Sequence, residues 1–172
     1  FQEMGAEIDI INKTREFEPR ADLKVKFSKL KGINLDTKLV PNLIDELPAF
    51  FVAAAMSSGS TAVRDAEELR HKESDRLEAM GDVLKSLGVD FNMYQDGMDI
   101  NGFDNNNTFS SYTGGKIESF GDHRIAMSSA IACSLFDQES LVLNTDNVNT
   151  SFPTFLTIAD QVGLNISLED SS

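Results

Sequence analysis

The stretch at 75–101, DRLEAMGDVLKSLGVDFNMYQDGMDIN, contains an ordered run of secondary-structure signals. Its first half places apolar side chains at the spacing of one helical face, namely Leu77, Met80, Val83, Leu84 and Leu87. Gly88 follows, and glycine is the residue type that most often ends a helix. Two strand-like runs, VDFNMY and GMDIN, are joined by the turn signal Gln95-Asp96-Gly97. The stretch therefore predicts an amphipathic helix that leads through a glycine into a β-hairpin.

A helix end followed by a glycine and a strand occurs three times along the chain. The three copies are MGAEIDII at 4–11, LGVDFNMY at 87–94 and VGLNISLE at 162–169. Self-similarity of this kind is typical of a fold that repeats one supersecondary unit. The pattern predicts an α/β (α+β) fold in which the order strand, helix, strand, helix, strand occurs twice, preceded by a third, partial unit.

Three further helices and four further strands complete these units. Helical periodicity runs from Asp45 to a stop at Gly59, through HRIAMSSAIACSLF at 123–136, and through SFPTFLTIADQVG at 151–163. The helix at 123–136 is apolar or small on all sides, which predicts that it is buried between layers. The predicted strands are TKLV, STAVRDA, SLVLNT and LNISLE.

The unit boundaries follow from the polar run FDNNNTFSSYTGG. We expect a single domain over 1–172, with the end of a preceding unit at 1–33, complete units at 34–102 and 115–172, and a polar linker at 103–114. The chain begins FQEMGAEIDI without an initiator Met, and these residues have the pattern of a helix end that runs into a strand. We therefore expect the chain to be a fragment of a longer protein.

Composition excludes two classes of function. The 172 residues are 41% hydrophobic, which is enough to bury a core, and no apolar run approaches the roughly 20 residues that a membrane helix needs. The formal net charge of -13 argues against binding to nucleic acids or anionic membranes, because both require an extended positive surface. The lone Cys133 lies among apolar residues, so we expect it to be a buried core residue in a reducing compartment.

Positive charge is nevertheless concentrated in RHKESDR at 70–76. A solvated charged surface is the simplest explanation of such a run. However, Lys72, Arg76 and Arg124 lie at or near predicted helix starts, where a cation opposes the helix dipole and requires a bound anion or an acidic neighbour. If the repeated units stack with parallel helices, the helix N-termini point toward one face, and such a face binds anions.

Each predicted helix also begins with a polar side chain that could be a simple cap. Asp45, Ser74 or Asp75, Asp122 and Ser151 occupy these positions. Asp and Ser are strongly preferred at helix starts for structural reasons alone. For Asp45 and Ser151 taken singly, capping is therefore the competing explanation.

Three stretches carry a family resemblance. AEELRHKESDRLEAMGDVLKSLGV resembles the R-x-K-E-[ST]-D-R-[LIM] signature of 5-enolpyruvylshikimate-3-phosphate (EPSP) synthases, the 3-phosphoshikimate 1-carboxyvinyltransferases. GDHRIAMSSAIA is similar to the family's second signature, D-H-R-[IM]-A-M, and IDELPAFFVAAAMSSGSTAVRDAEELR resembles the family helix that starts with a catalytic Asp. The resemblance runs from Phe1 to Ser172.

The family resemblance implies a fold and a reaction. Members consist of two domains, each made of three βαβαββ units whose helix N-termini face the interdomain cleft, and this chain corresponds to most of the C-terminal domain. The implied reaction moves the enolpyruvyl group of phosphoenolpyruvate to the 5-hydroxyl of shikimate 3-phosphate, with release of phosphate, in aromatic amino-acid biosynthesis. The implied protein is cytoplasmic, monomeric at full length and free of metal or organic cofactors. Its C-terminal domain alone is inactive without the N-terminal domain.

Residue roles are also implied by the resemblance. The implied catalytic residues are Asp45, which orients or deprotonates the 5-hydroxyl, Glu73, which exchanges protons with a phosphoenolpyruvate carbon, and His123, which hydrogen-bonds beside Glu73. Two carboxylates in different environments suit an addition that needs a base on oxygen and an acid for carbon. The implied substrate-binding residues are Asp45 and Lys72 for shikimate 3-phosphate, and Arg76 and Arg124 for phosphoenolpyruvate, which arginine can pair bidentately.

Two positions depart from the family pattern. Thr150 stands where many members carry a lysine that contacts phosphoenolpyruvate, and His71 stands where a small apolar residue is common. Two other functions compete with the implied one. A transferase acting on UDP-N-acetylglucosamine predicts neither KESDR nor DHRIAM. A non-catalytic anion-binding module of the same fold gains nothing from a carboxylate at Glu73, between Lys72 and Arg76.

Overall fold

The computed structural model describes residues 1–14, 17–103 and 112–169, which form seven β-strands and six α-helices. The strands are β1 (Glu7–Ile11), β2 (Asp22–Lys26), β3 (Ser60–Val63), β4 (Asp90–Tyr94), β5 (Gly97–Asn101), β6 (Gly115–Glu118) and β7 (Ser140–Leu143). The helices are α1 (Val40–Leu43), α2 (Leu47–Ala55), α3 (Arg76–Ser86), α4 (His123–Cys133), α5 (Asn147–Ser151) and α6 (Phe155–Gln161). Three 3-10 turns lie at Thr37–Leu39, Ile44–Glu46 and Glu67–His71.

The strands form three small sheets. β1 and β2 pair antiparallel, β3, β5 and β4 form an antiparallel sheet in that order, and β6 pairs parallel with β7. The predicted hairpin is confirmed, because β4 and β5 pair from Asp90 opposite Asn101 to Tyr94 opposite Gly97. Mixed helices and sheets confirm the predicted α/β (α+β) class.

The core lies between α2, α3, α4 and the three-stranded sheet. α2 contacts α3, α4 and β5, and α3 contacts both β4 and β6. The predicted apolar face of α3 is confirmed, since all five of its residues are buried. α4 packs against α2, α3, α5 and β7, as expected for a helix between layers, but it is not buried on all sides as predicted, because Ile131 is 37% exposed. Cys133 is buried, as predicted.

The repeated glycine marks the same backbone motif at three places. At Gly88 the glycine N–H donates to the Lys85 carbonyl at 3.0 Å, and the N–H of the next residue donates to the Leu84 carbonyl at 2.9 Å. The same pair of bonds occurs around Gly5 and Gly163, and all three glycines have positive φ. This is the Schellman motif, in which a left-handed residue closes the last turn of a helix. The repeat in the sequence is therefore a repeat of helix ends.

Some predicted elements are wrong. TKLV forms a 3-10 turn and the start of α1 instead of a strand, because Asp36 accepts a hydrogen bond from the Lys38 N–H at 3.0 Å and Pro41 occupies the first turn of α1. LNISLE forms no strand within the described part of 164–169. The fourth helix does not begin at Ser151, which is instead the last residue of α5, and α6 begins at Phe155.

Two strands were not predicted, namely β2 and β6. Most of the predicted linker, 104–111, lies outside the described residues, and the division into units at 34–102 and 115–172 stays a prediction. Within the described ranges, none of the helices is long and apolar enough to cross a membrane.

Candidate functional site

Three helix starts meet at one place in the structure. Arg76 is the first residue of α3, Asp122 is the N-cap of α4, and Asp45 lies in the 3-10 turn that leads into α2. The Arg76 side chain contacts both carboxylates, although Asp45 lies 31 positions and Asp122 46 positions away from it along the chain. The predicted meeting of helix N-termini therefore holds for α2, α3 and α4.

The Arg76 side chain is the centre of this arrangement. Its Nε lies 2.8 Å from Asp122 Oδ2, its Nη1 lies 3.0 Å from Asp45 Oδ1, and its Nη2 lies 2.5 Å from Glu73 Oε2. Every guanidinium nitrogen thus contacts a carboxylate. We call Arg76 with Asp45, Glu73 and Asp122 the Arg76 cluster.

The cluster has a buried layer and an exposed layer. The side chains of Arg76 and Asp122 are 1% and 0% exposed, whereas those of Asp45 and Glu73 are 44% and 53% exposed. A buried charge is costly unless it is paired, and Arg76 and Asp122 pair with each other. Two carboxylates therefore reach solvent above a buried arginine that holds both of them.

Asp122 is fixed on every side. Its carboxylate accepts hydrogen bonds from Ser74 Oγ at 3.0 Å and from the Arg124 N–H at 2.9 Å, in addition to Arg76. Burial raises the pKa of this carboxyl, but the hydrogen bond and charge of Arg76 and the other donors outweigh burial and leave the pKa below its ordinary value. Asp122 is consequently ionised at neutral pH and is the counterion of Arg76.

Asp45 does not cap a helix, so the capping explanation for it is wrong. α2 begins without a side-chain cap, and the Asp45 carboxylate contacts Arg76 and, at 3.4 Å, Lys72 Nζ. Burial raises the pKa of Asp45, but the charges of Lys72, Arg124 and Arg76 together leave it below its ordinary value. The carboxylate is ionised and partly open to solvent.

The other two predicted cations also face acidic groups. Lys72 Nζ lies 2.5 Å from Glu68 Oε1, and this bond is the main reason that the pKa of Lys72 is raised. Arg124 Nη1 donates to the Asp45 carbonyl at 2.6 Å and lies 3.4 Å from Glu46 Oε1. The basic cluster expected from the sequence is therefore matched by carboxylates, and an incoming anion has to compete with them.

The run RHKESDR divides into two parts. Arg70 is structural, because it donates to the carbonyls of Gln95 at 2.8 Å and Tyr94 at 2.9 Å and pairs with Asp75, the cap of α3. His71 is exposed. The solvated-surface explanation thus fits His71, whereas Lys72, Glu73 and Arg76 lie in or beside the Arg76 cluster.

Two predicted positions are less closely connected to the cluster. His123 is the first residue of α4 and is partly buried, and within the described residues no hydrogen bond or ion pair joins it to Glu73. Thr150 is exposed in α5, the helix whose Asn147 donates to the Gly121 carbonyl just before α4. From the sequence, Asp122 was predicted only as a residue at a helix start and not as a site residue. Its position directly before His123 and Arg124 is the signal that could have indicated a place in the site.

Comparison with known proteins gives one consistent result. The family model described as EPSP synthase (3-phosphoshikimate 1-carboxyvinyltransferase) matches residues 1–158. The 3-phosphoshikimate 1-carboxyvinyltransferase of Coxiella burnetii (strain RSA 493 / Nine Mile phase I) is 43% identical over 164 residues, which are 95% of this chain and 36% of that protein. The enzyme of the same name from Legionella pneumophila (strain Lens) is 46% identical over 166 residues, 95% of this chain and 36% of that protein.

A solved structure agrees with these sequences. The EPSP synthase from Acinetobacter baumannii superposes with a TM-score of 0.88 at 42% identity, covering 98% of this chain and 39% of that one. The chain thus spans a little over a third of the length of the relatives it matches.

Proposed function

The chain belongs to the EPSP synthase family, and from that premise we propose that it forms one wall of the active site of a 3-phosphoshikimate 1-carboxyvinyltransferase. The proposed reaction transfers the enolpyruvyl group of phosphoenolpyruvate to the 5-hydroxyl of shikimate 3-phosphate and releases phosphate. The Arg76 cluster is the observation that supports it most, because two exposed carboxylates and a buried arginine meet at three helix starts. The opposite wall would come from the part of the longer protein that this chain does not include.

The chemistry requires three proton transfers, and the two exposed carboxylates can divide them. Asp45 accepts the proton of the 5-hydroxyl group while the oxygen of that hydroxyl bonds to C2 of phosphoenolpyruvate. In the same step, protonated Glu73 delivers a proton to C3. Glu73 then removes a proton from the new methyl group, the double bond forms again, and the bond from C2 to the phosphate oxygen breaks. General acid–base steps of this kind contribute about 10² to 10⁴ in rate.

Arg76 can take part only through an exchange of partners. Its nitrogens already contact three carboxylates, and Asp122 is too enclosed to move away. An anionic substrate therefore reaches Arg76 by replacing the exposed Glu73 or Asp45. We infer that the phosphoenolpyruvate carboxylate replaces Glu73, because this exchange keeps the charge of Arg76 balanced and frees Glu73 to act on C3.

The remaining cations have separate roles in this proposal. Arg124 is partly exposed and is held near the cluster by its bond to the Asp45 carbonyl, so it binds phosphoenolpyruvate there. Lys72 contacts Asp45 and binds shikimate 3-phosphate beside it. His123 hydrogen-bonds beside Glu73 once substrates are bound.

Changing Arg124 to Ala is expected to raise the KM for phosphoenolpyruvate by about 10- to 100-fold, since a hydrogen bond to a charged group contributes about 1.5 to 3 kcal/mol. The KM for shikimate 3-phosphate should change by less than about threefold, which is within 0.7 kcal/mol. Steady-state kinetics of the full-length protein measure both constants. Lys38→Ala, which removes an exposed cation in the turn before α1, is the matched control and should change neither constant. Equal losses for both substrates would contradict the role of Arg124.

The function itself is tested by phosphate release from phosphoenolpyruvate, with full-length protein and with each substrate omitted in turn. We expect release only when shikimate 3-phosphate is present. Release with UDP-N-acetylglucosamine in its place would favour the related transferase. Binding of both anions without release would favour a non-catalytic anion-binding module.

A further inference from the structure

The turn that joins β6 to α4 holds a phenylalanine in an unfavourable backbone conformation. The Asp122 N–H donates to the Ser119 carbonyl at 2.9 Å, and the two central residues, Phe120 and Gly121, have φ values of 56° and 69°. Positive φ at both central positions is the pattern of a type I′ turn, for which Asn, Asp and Gly are preferred. Phenylalanine rarely adopts the left-handed backbone region with positive φ. The contacts around Phe120 therefore have to impose this conformation.

Glu118 supplies the contacts that impose this conformation. Its Oε1 accepts hydrogen bonds from the Phe120 N–H at 2.9 Å and from Asn144 Nδ2 at 2.7 Å. Asn144 follows β7 and also has a positive φ, of 58°. Ser119 Oγ donates to the Asn144 carbonyl at 2.8 Å, which adds a second link. The Glu118 carboxylate thus joins the ends of two parallel strands at the point where both chains turn.

The turn determines where Asp122 lies. Asp122 is the last residue of the turn and the N-cap of α4, and its carboxylate holds both Arg76 and Ser74. Because Arg76 in turn holds Glu73 and Asp45, a displacement of the turn displaces the exposed carboxylates of the Arg76 cluster. Reacting groups have to be positioned accurately, because a displacement of about 1 Å can lower the reaction rate on the order of 100-fold.

We propose that Glu118 is a positioning residue of the active site, acting through the turn 119–122 on Asp122 and through Asp122 on Arg76. This role rests on the proposed function, because it is defined by turnover. In this role Glu118 acts through its contacts with Phe120 and Asn144 and not by binding substrate. Its carboxylate keeps Phe120 left-handed, and this backbone conformation sets Asp122 beneath Arg76.

The first test compares Glu118→Ala with Glu118→Gln in the full-length protein. E118A removes both acceptor bonds and should lower kcat by about tenfold, with each KM changed by less than about threefold. E118Q keeps an amide oxygen that can accept both bonds, so its kcat should stay within about threefold of wild type. Asp137→Ala, which removes an exposed acidic residue before β7, is the control for a loss of negative charge and should leave kcat unchanged.

The second test separates positioning from general stabilisation. Asn adopts the left-handed region far more readily than Phe, so the double variant E118A/F120N should recover most of the kcat lost in E118A. If E118A does not fold, N144D replaces the donor to Glu118 by a carboxylate while keeping a residue that accepts positive φ, and it should show the same loss of kcat.

Three results would overturn the role of Glu118. They are an unchanged kcat in E118A (or in N144D, where E118A does not fold), a loss of activity in partly folded E118A that disappears when turnover is counted per folded molecule, and a folded E118A/F120N that stays as slow as E118A. Wild-type protein without turnover in the same assay would overturn the proposed function first, and the role of Glu118 with it. A wild-type protein that turns over beside an unaffected E118A would overturn only the role of Glu118.

Discussion

Glu73→Gln is expected to reduce the turnover of the full-length protein by about 10³-fold, within the range found for removal of a general acid–base group. Gln cannot give a proton to C3 of phosphoenolpyruvate or take one back. Its amide oxygen can still accept from Arg76, so the buried guanidinium keeps a partner and the fold is preserved. Steady-state kinetics and a direct binding measurement for shikimate 3-phosphate test this expectation.

The affinity for shikimate 3-phosphate should stay within about twofold in Glu73→Gln. A residue that does not contact this substrate should change its binding free energy by no more than roughly 0.4 kcal/mol. Glu67→Gln is the matched control, because Glu67 is an exposed glutamate six positions earlier and lies outside the Arg76 cluster. Unchanged turnover in Glu73→Gln would remove Glu73 from the chemistry. A parallel loss of turnover and affinity would make Glu73 a binding residue.

Asp122→Ala is expected to destabilise the folded chain by about 3 to 5 kcal/mol, the usual cost of leaving one member of a buried ion pair without its partner. Arg76 is buried and could not move to water, and α4 would also lose its cap. The free energy of unfolding, measured by urea denaturation, tests this. Asp45→Ala removes a partly exposed partner of the same arginine and should cost only about 1 kcal/mol.

The contribution of Asp122 to the free energy of unfolding should decrease as the pH falls. Its pKa in the folded chain is lower than in the unfolded chain, so its contribution is fully present above the unfolded pKa. It is lost as the pH falls below that value and through the lower folded pKa. Asp122→Ala should therefore lose less stability on acidification than wild type does. An equal pH dependence in both, or equal costs for Asp122→Ala and Asp45→Ala at neutral pH, would contradict the buried pairing.

The parts of the fold that are determined by residues close together along the chain were predictable from the sequence. The apolar face of α3, its stop at Gly88 and the β4–β5 hairpin all follow from spacings of a few residues, and the structure confirms them. The same local signals failed where a strand needs a partner. LNISLE has a strand pattern, but in the described residues no other strand pairs with it. β6 has little pattern of its own and exists because β7 pairs with it.

The candidate site was predictable as a set of residue types but not as a geometry. Cations at helix starts indicate either a bound anion or an acidic neighbour, and the sequence cannot choose between them. The structure gives Arg76 an acidic neighbour on every side, and two of these partners, Asp45 and Asp122, are distant in the chain. The burial of Arg76 and the importance of Asp122 follow from that packing.

We propose that this chain supplies one wall of a site that works only with a second wall. Phosphate release from phosphoenolpyruvate and shikimate 3-phosphate tests it most directly, measured for this chain alone and after addition of the rest of the full-length protein as a separate polypeptide. We expect no release by the chain alone and turnover in the mixture. Turnover by the chain alone, or none in a mixture whose parts are folded and associated, would contradict the claim.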